Sequence, residues 1–182
     1  MKDHIWLFPI FDDTQYDMRN TIVKYWAMRS SFTAGQPDGC LEFRLGVDVQ
    51  SESELLGRLW AELSPWVIGR TISGWRIYDR IWPILVNRSL VHRIPVPAWA
   101  RQDPTKRWPT MTFFDLFSIY TQGRRYDSHD KDVTLSQALE LWLPDDPLLP
   151  DIRPGDAVPP HYGCLCLNAM EKVVRLYEGD QA

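Results

Sequence analysis

SGWRIYDRIWPILVNRSL, residues 73–90, is the stretch that decides the fold. Just upstream, WVIGRTIS is apolar enough to be a strand, and it runs into the Gly74–Trp75 pair. Pro83 then sits at the head of an apolar run. An interior proline costs a helix about 3 kcal/mol, so Pro83 must lie in the first turn. The stretch therefore predicts a helix from about Trp82 to His92 that starts where a strand ends. A strand feeding a helix is the unit of α/β packing.

Working outward, HIWLFPIF near the N-terminus reads as a buried strand. TQYDMRNTIVKYWAMRS places Met18, Ile22, Tyr25, Trp26 and Met28 at spacings closer to a helix than to a strand, with Asp12, Asp13 and Thr14 as candidate caps. GQPDGC is a turn, and LEFRLGV alternates like a strand. SESELLGRLWAEL follows, with Ser51 and Glu54 at capping-box spacing and Leu55, Leu56, Leu59 and Leu63 on one stripe. MTFFDLFSIY and TLSQALELWL read as short helices. RIPVPAWARQDPTKRWPT and the six-proline stretch PDDPLLPDIRPGDAVPP read as irregular. CLCLNAMEKVVRLYE puts Leu165, Ala169, Val173 and Leu176 on one face of a last helix. A chain of 182 residues suits one domain, taken as 1–182, with strands first and helices closing it.

Several classes are excluded. No apolar run approaches the roughly 20 residues that span a bilayer, and IWLFPIF, short and followed directly by Asp12 and Asp13, is expected to be a poor signal peptide. The three cysteines, Cys40, Cys164 and Cys166, are odd in number, and a C-x-C pair offers too few ligands for a structural zinc. They are expected to be free thiols in a cytoplasmic protein. The formal net charge of −4 argues against general nucleic-acid binding, but its distribution does not. Residues 70–107 hold eight bases (Arg70, Arg76, Arg80, Arg88, Arg93, Arg101, Lys106 and Arg107) against Asp79 and Asp103, a local charge of +6. From residue 127 onward, eleven acids face four bases. One basic segment in an acidic protein points to an anionic partner.

In order and in local phrasing, the chain resembles the DEDD superfamily of 3′–5′ exonucleases, in the branch similar to the proofreading exonuclease of family-B DNA polymerases. Gly74, Trp75, Pro83, Leu85, Asn87, Arg88 and Leu90 match the spacing of the second motif. Asp115 and Leu116 match a downstream phrase, TLSQALELWLP looks like the helix that ends in Leu-Pro, and Cys166 and Tyr177 match the last motif. The resemblance implies a ribonuclease-H-like fold, a mixed central sheet flanked by helices. It also implies four carboxylates holding two metal ions that activate water at a phosphodiester. Carried over, those positions fall on Pro9, Phe11, Ile81 and Ala169, and the helper tyrosine falls on Leu165. The four would cluster within side-chain reach of one another. Glu171 would lie about 200° around the last helix from Ala169.

The expected protein is thus a catalytically inactive exonuclease-fold module with no cofactor and no metal. Arg76, Arg80, Arg93, Arg101, Lys106 and Arg107 are the candidate contacts for single-stranded DNA or RNA, since arginine pairs with phosphate but does not activate water. Trp99 and Trp108 are candidate interaction residues, and stacking on bases is one use of such rings. Arg88, Trp75 and Trp82 are expected to be structural. The alternative is a protein-interaction subunit or inhibitor built on the same scaffold, within a larger complex and away from membranes. Residual metal-dependent exonuclease activity is the weakest of the three readings.

Overall fold

A computed structural model describes residues 4–12, 21–30, 39–65, 67, 70–101, 112–121, 133–146 and 161–179. Five strands form one mixed sheet in the order β3-β2-β1-β4-β5. They are β1 (His4–Asp12), β2 (Ile22–Ser30), β3 (Cys40–Arg44), β4 (Thr71–Gly74) and β5 (Thr112–Asp115). β1, β2 and β3 pair antiparallel, while β4 and β5 join parallel to β1. Among the described residues the α-helices are α1 (Glu52–Leu63), α2 (Trp82–Val91), α3 (Leu116–Tyr120), α4 (Leu135–Trp142) and α5 (Tyr162–Glu178). A mixed sheet covered by helices is the α/β architecture expected from the sequence.

The sheet separates two apolar cores. On one side Ile5, Leu7, Trp26 and Ile72 meet α1 and α2 through Leu55, Leu56, Leu59, Trp60, Trp82 and Leu85. On the other side Trp6, Tyr25 and Ala27 meet α4 and α5 through Ala138, Leu139, Cys166, Ala169, Met170 and Val173. Both faces of β1 and β2 are therefore dry over His4–Leu7 and Tyr25–Met28. This explains why the region around β2 departs from the helix expected there. Val23, Tyr25, Trp26, Ala27 and Met28 are all buried, so the period-2 alternation that marks a strand is erased. MTFFDLFSIY is also corrected: its first half is β5, and α3 begins at Leu116.

Local signals fix the helix starts. The Ser51 hydroxyl accepts from the Glu54 backbone N–H at 3.2 Å and caps α1. Thr134 and Gln137 form a full capping box on α4. Pro83 lies in the first turn of α2, as its chemistry requires. Gly163 lets α5 touch β2, because a Cβ there would sit 2.1 Å from the Tyr25 hydroxyl.

Two buried ion-pair systems tie these layers together. Glu52 at the head of α1 accepts from Arg88 Nε at 3.0 Å, from His92 Nε2 at 2.7 Å and from the Val23 backbone N–H at 2.8 Å. Arg88 is thus structural, as expected. Across the sheet, Arg29 pairs with Glu171 and hydrogen-bonds Asn168. Glu171 is 4% exposed, so α5 is buried on a broad arc and its acid points inward. The sequence had placed that residue away from the buried face.

Cys40 and Cys164 form a disulfide between β3 and the first turn of α5, which corrects the expectation of three free thiols. Cys166 is free and buried, and burial pushes its thiol up to about 12. Among the described residues, no helix is long and apolar enough to cross a membrane.

Candidate functional site

The site grows from the exit of β4. Gly74 passes so close to β1 that a Cβ would meet the Leu7 carbonyl oxygen at 2.7 Å, so the position demands glycine. Trp75 turns into the α4/α5 core and meets Phe117 edge to face at 5.1 Å. Arg76 then takes a left-handed conformation (φ 52°), and the chain enters a π-helical turn over Ile77–Ile81 before α2. Such turns are rare and recur at functional sites.

Asp115 holds this junction in place. Its carboxylate accepts the backbone N–H groups of Arg76 at 2.8 Å, Tyr78 at 3.2 Å and Phe117 at 2.9 Å. One side chain thus caps α3 and staples the β4 exit to the end of β5. Burial raises the Asp115 carboxyl to about 6, with neighbouring Asp79 adding to the effect and the three N–H groups opposing it.

The arginines of the basic segment have different environments. The Arg76 guanidinium bonds Asp79 at 2.8 Å and lies over the Phe117 ring, 5.0 Å from its centroid. It is 15% exposed and engaged within the fold. Arg80 is half-buried, while Arg93 and Arg101 are exposed. Arg93 follows α2, at the far end of a ten-residue helix about 15 Å long. The chain then doubles back, and the Trp82 indole N–H reaches the Ala100 carbonyl at 3.3 Å. That return brings the backbone at Arg101 to the end of α2 that carries Arg80, whereas Arg93 stays at the opposite end. Lys106, Arg107 and Trp108 lie outside the described residues.

Trp99 is half-buried against Trp60 and Trp82, with its indole N–H on the Ser64 hydroxyl at 3.3 Å. Trp75 and Trp82 are core, as expected.

Three of the four positions assigned to metal ligands divide between the two apolar cores. Phe11 and Ile81 pack with the α1/α2 core, whereas Ala169 belongs to the α4/α5 core. Strand alternation is the cause: the β1 residues that face α5 are Trp6, Phe8 and Ile10. Phe8 meets Tyr162 at 5.8 Å. The register then shifts between Ile10 and Phe11. A carboxylate pair facing α5 would therefore fall one residue from the positions first assigned, on Phe8 and Ile10. In either register the side chains are hydrocarbon or proline and offer no oxygen to a hard cation. The described acids near these strand ends are otherwise engaged. Asp12 is exposed and 3.4 Å from Lys24, Asp79 binds Arg76, and Asp115 binds three backbone N–H groups. Among the described residues, those at these positions do not fit a two-metal centre. Among the described residues, the group of metal-capable side chains with donor atoms within 4.8 Å of one another is Cys40, Glu42 and Cys164, at the opposite edge strand.

No protein-family model matches the chain, and no curated protein does. Among solved structures, the family B DNA polymerase from the hyperthermophilic archaeon Pyrobaculum calidifontis is similar in fold. The match covers 98% of this chain at 15% identity, with a TM-score of 0.59. It spans 24% of the polymerase chain. The fold of the present chain is a small α/β domain of the ribonuclease-H-like kind.

Proposed function

We propose that the chain is a catalytically inactive exonuclease-fold module that binds nucleic acid through its basic segment, as part of a nucleoprotein complex in the cytoplasm. The observation that carries the inactive reading is the α5-facing side of β1. It presents Trp6, Phe8 and Ile10, which offer no carboxylate, and the positions carried over from the resembled exonucleases, Pro9 and Phe11, offer none either. The binding reading rests on the charge of residues 70–107 and on the exposure of Arg93 and Arg101, with Arg80 half-buried. Arg76 contributes by ordering the turn, since its guanidinium is held by Asp79 and Phe117.

Two measurements on the full chain test this. With magnesium or manganese and a labelled single strand, no 3′ shortening is expected. Metal-dependent shortening that survives repurification would overturn the inactive reading. In a binding titration, affinity is expected to fall steeply with salt, because each neutralised phosphate releases counterions. The double variant R93E/R101E should flatten that slope. Absence of binding even at low salt removes the nucleic-acid reading.

A protein-interaction role is the second reading. The burial of Arg76 and Arg88 in internal ion pairs favours it, because it leaves less charge for phosphate. Exposed Leu90 and Val91 at the end of α2 add apolar surface beside Arg93.

A further inference from the structure

The edge of the sheet farthest from β4 carries a second constellation. Cys40 and Glu42 lie on β3, and Cys164 opens α5. One donor atom from each falls within 4.8 Å of the others. The Nδ1 atom of His161 is 3.8 Å from Glu42 Oε2, and the His161 side chain is 83% exposed. Two sulfurs and a carboxylate oxygen already lie together, and the exposed His161 ring beside Glu42 can turn to supply the nitrogen, which completes the donor types of tetrahedral zinc.

Glu42 is already positioned for such a role. Its Oε1 accepts from the Tyr25 hydroxyl at 2.8 Å and from the Cys164 backbone N–H at 3.2 Å. Its Oε2 accepts from the His161 backbone N–H at 3.2 Å. A carboxylate oxygen takes two such partners, so Oε2 keeps a lone pair for a cation. The Tyr25 hydroxyl in turn receives the Gly163 N–H at 2.9 Å. These bonds form the outer shell that orients a metal ligand.

We propose that reduction of the Cys40–Cys164 disulfide creates a binding site for one zinc-class divalent cation on Cys40, Glu42, His161 and Cys164. The reductant is a dithiol. Its two thiols become a disulfide and deliver two electrons and two protons to the protein sulfurs, which separate as two thiols. Binding of the cation then releases those two protons and leaves two metal thiolates. Tetrahedral zinc with sulfur bonds of about 2.3 Å sets the sulfurs roughly 3.8 Å apart, a separation that side-chain rotation supplies once the disulfide opens. Cys166 is not in the set. It lies two residues, about 200°, around α5 from Cys164 and is buried in the core.

The test titrates cobalt(II) into the full chain after dithiol reduction and anaerobic desalting. The expected result is one cobalt per chain with a thiolate-to-metal charge-transfer band and tetrahedral d–d intensity, displaced by one equivalent of zinc. The oxidised chain should show neither. C164S should abolish the signature, and C166S should retain it. H161A, at an exposed side chain that leaves the fold intact, should weaken binding about tenfold or more, as expected for loss of an inner ligand. The proposal fails if the reduced wild type takes up no stoichiometric cobalt. It also fails if H161A binds as tightly as wild type, or if C166S rather than C164S loses the signature.

Discussion

Replacing Arg88 by methionine should cost the fold about 3 kcal/mol. Arg88 and Glu52 are each 7% exposed, so the pair is out of water. Methionine keeps much of the arginine stem's volume but removes the Nε bond at 3.0 Å and the Nη2 contact to Glu52. Breaking one side of a buried pair costs roughly 3–5 kcal/mol. The Val23 N–H and His92 remain on the carboxylate, which holds the loss near the lower end. At roughly 2–4 °C per kcal/mol for a chain of this size, the midpoint should fall by about 6–12 °C. Urea unfolding followed by tryptophan fluorescence measures the free energy directly. The double variant E52Q/R88M removes both charges, keeps an acceptor for the Val23 N–H and should recover most of the loss. The same pair has a pH signature. Burial alone would raise the Glu52 carboxyl, but the bonds from Arg88, Val23 and His92 outweigh it and hold it below its ordinary 4.5. A depressed carboxylate stabilises the fold above its unfolded value. That contribution fades as pH falls below 4.5 through the folded value. Acid sensitivity should therefore shrink in R88M. The reasoning is refuted if R88M lies within about 0.5 kcal/mol of wild type, or if the double variant is no better than the single one.

Asp115 should titrate by NMR with a midpoint near 6. Its folded value lies above the ordinary 3.8, so its contribution favours folding below about pH 4 and is lost as pH rises through 6. A midpoint near 4 would remove the burial argument. G163A should unseat α5 from β2, since the new methyl falls 2.1 Å from the Tyr25 hydroxyl and 2.3 Å from Ala27 Cβ. A loss of at least about 1–3 kcal/mol is expected in the same urea assay. E171Q should destabilise by about 2 kcal/mol or more, because it leaves Arg29 at 17% exposure without its partner charge; an unchanged midpoint counts against the pair.

The junction at Gly74, Trp75 and Pro83 was legible because each residue answers a local demand. A Cβ at Gly74 would meet a backbone oxygen at 2.7 Å, and Pro83 opens a helix. The first turn of α1 was legible for the same reason, through its capping side chain. β2 was not, because both its faces are buried and its pattern carries no parity. The facing of β1 was hidden in the same way. Trp6 and Leu7 are both apolar, so nothing in the sequence says which set meets α5. The positive charge of Arg76 was visible, but its commitment to Asp79 and Phe117 depends on a left-handed turn that residue type does not announce. Cys40 and Cys164 are 124 residues apart, and their pairing appears only when β3 and α5 are brought together.

The split of the tryptophans between the two cores has a practical consequence. Trp26, Trp60 and Trp82 report on the α1/α2 layer, and Trp6 and Trp75 on the α4/α5 layer. Each layer thus carries its own optical probe, with one shared sheet between them. Phenylalanine replacements confined to one layer would leave the other as the sole fluorophore set in the described core. Whether a ligand or a reductant loosens one half of the molecule before the other then becomes a question of colour and lifetime, answerable without any label.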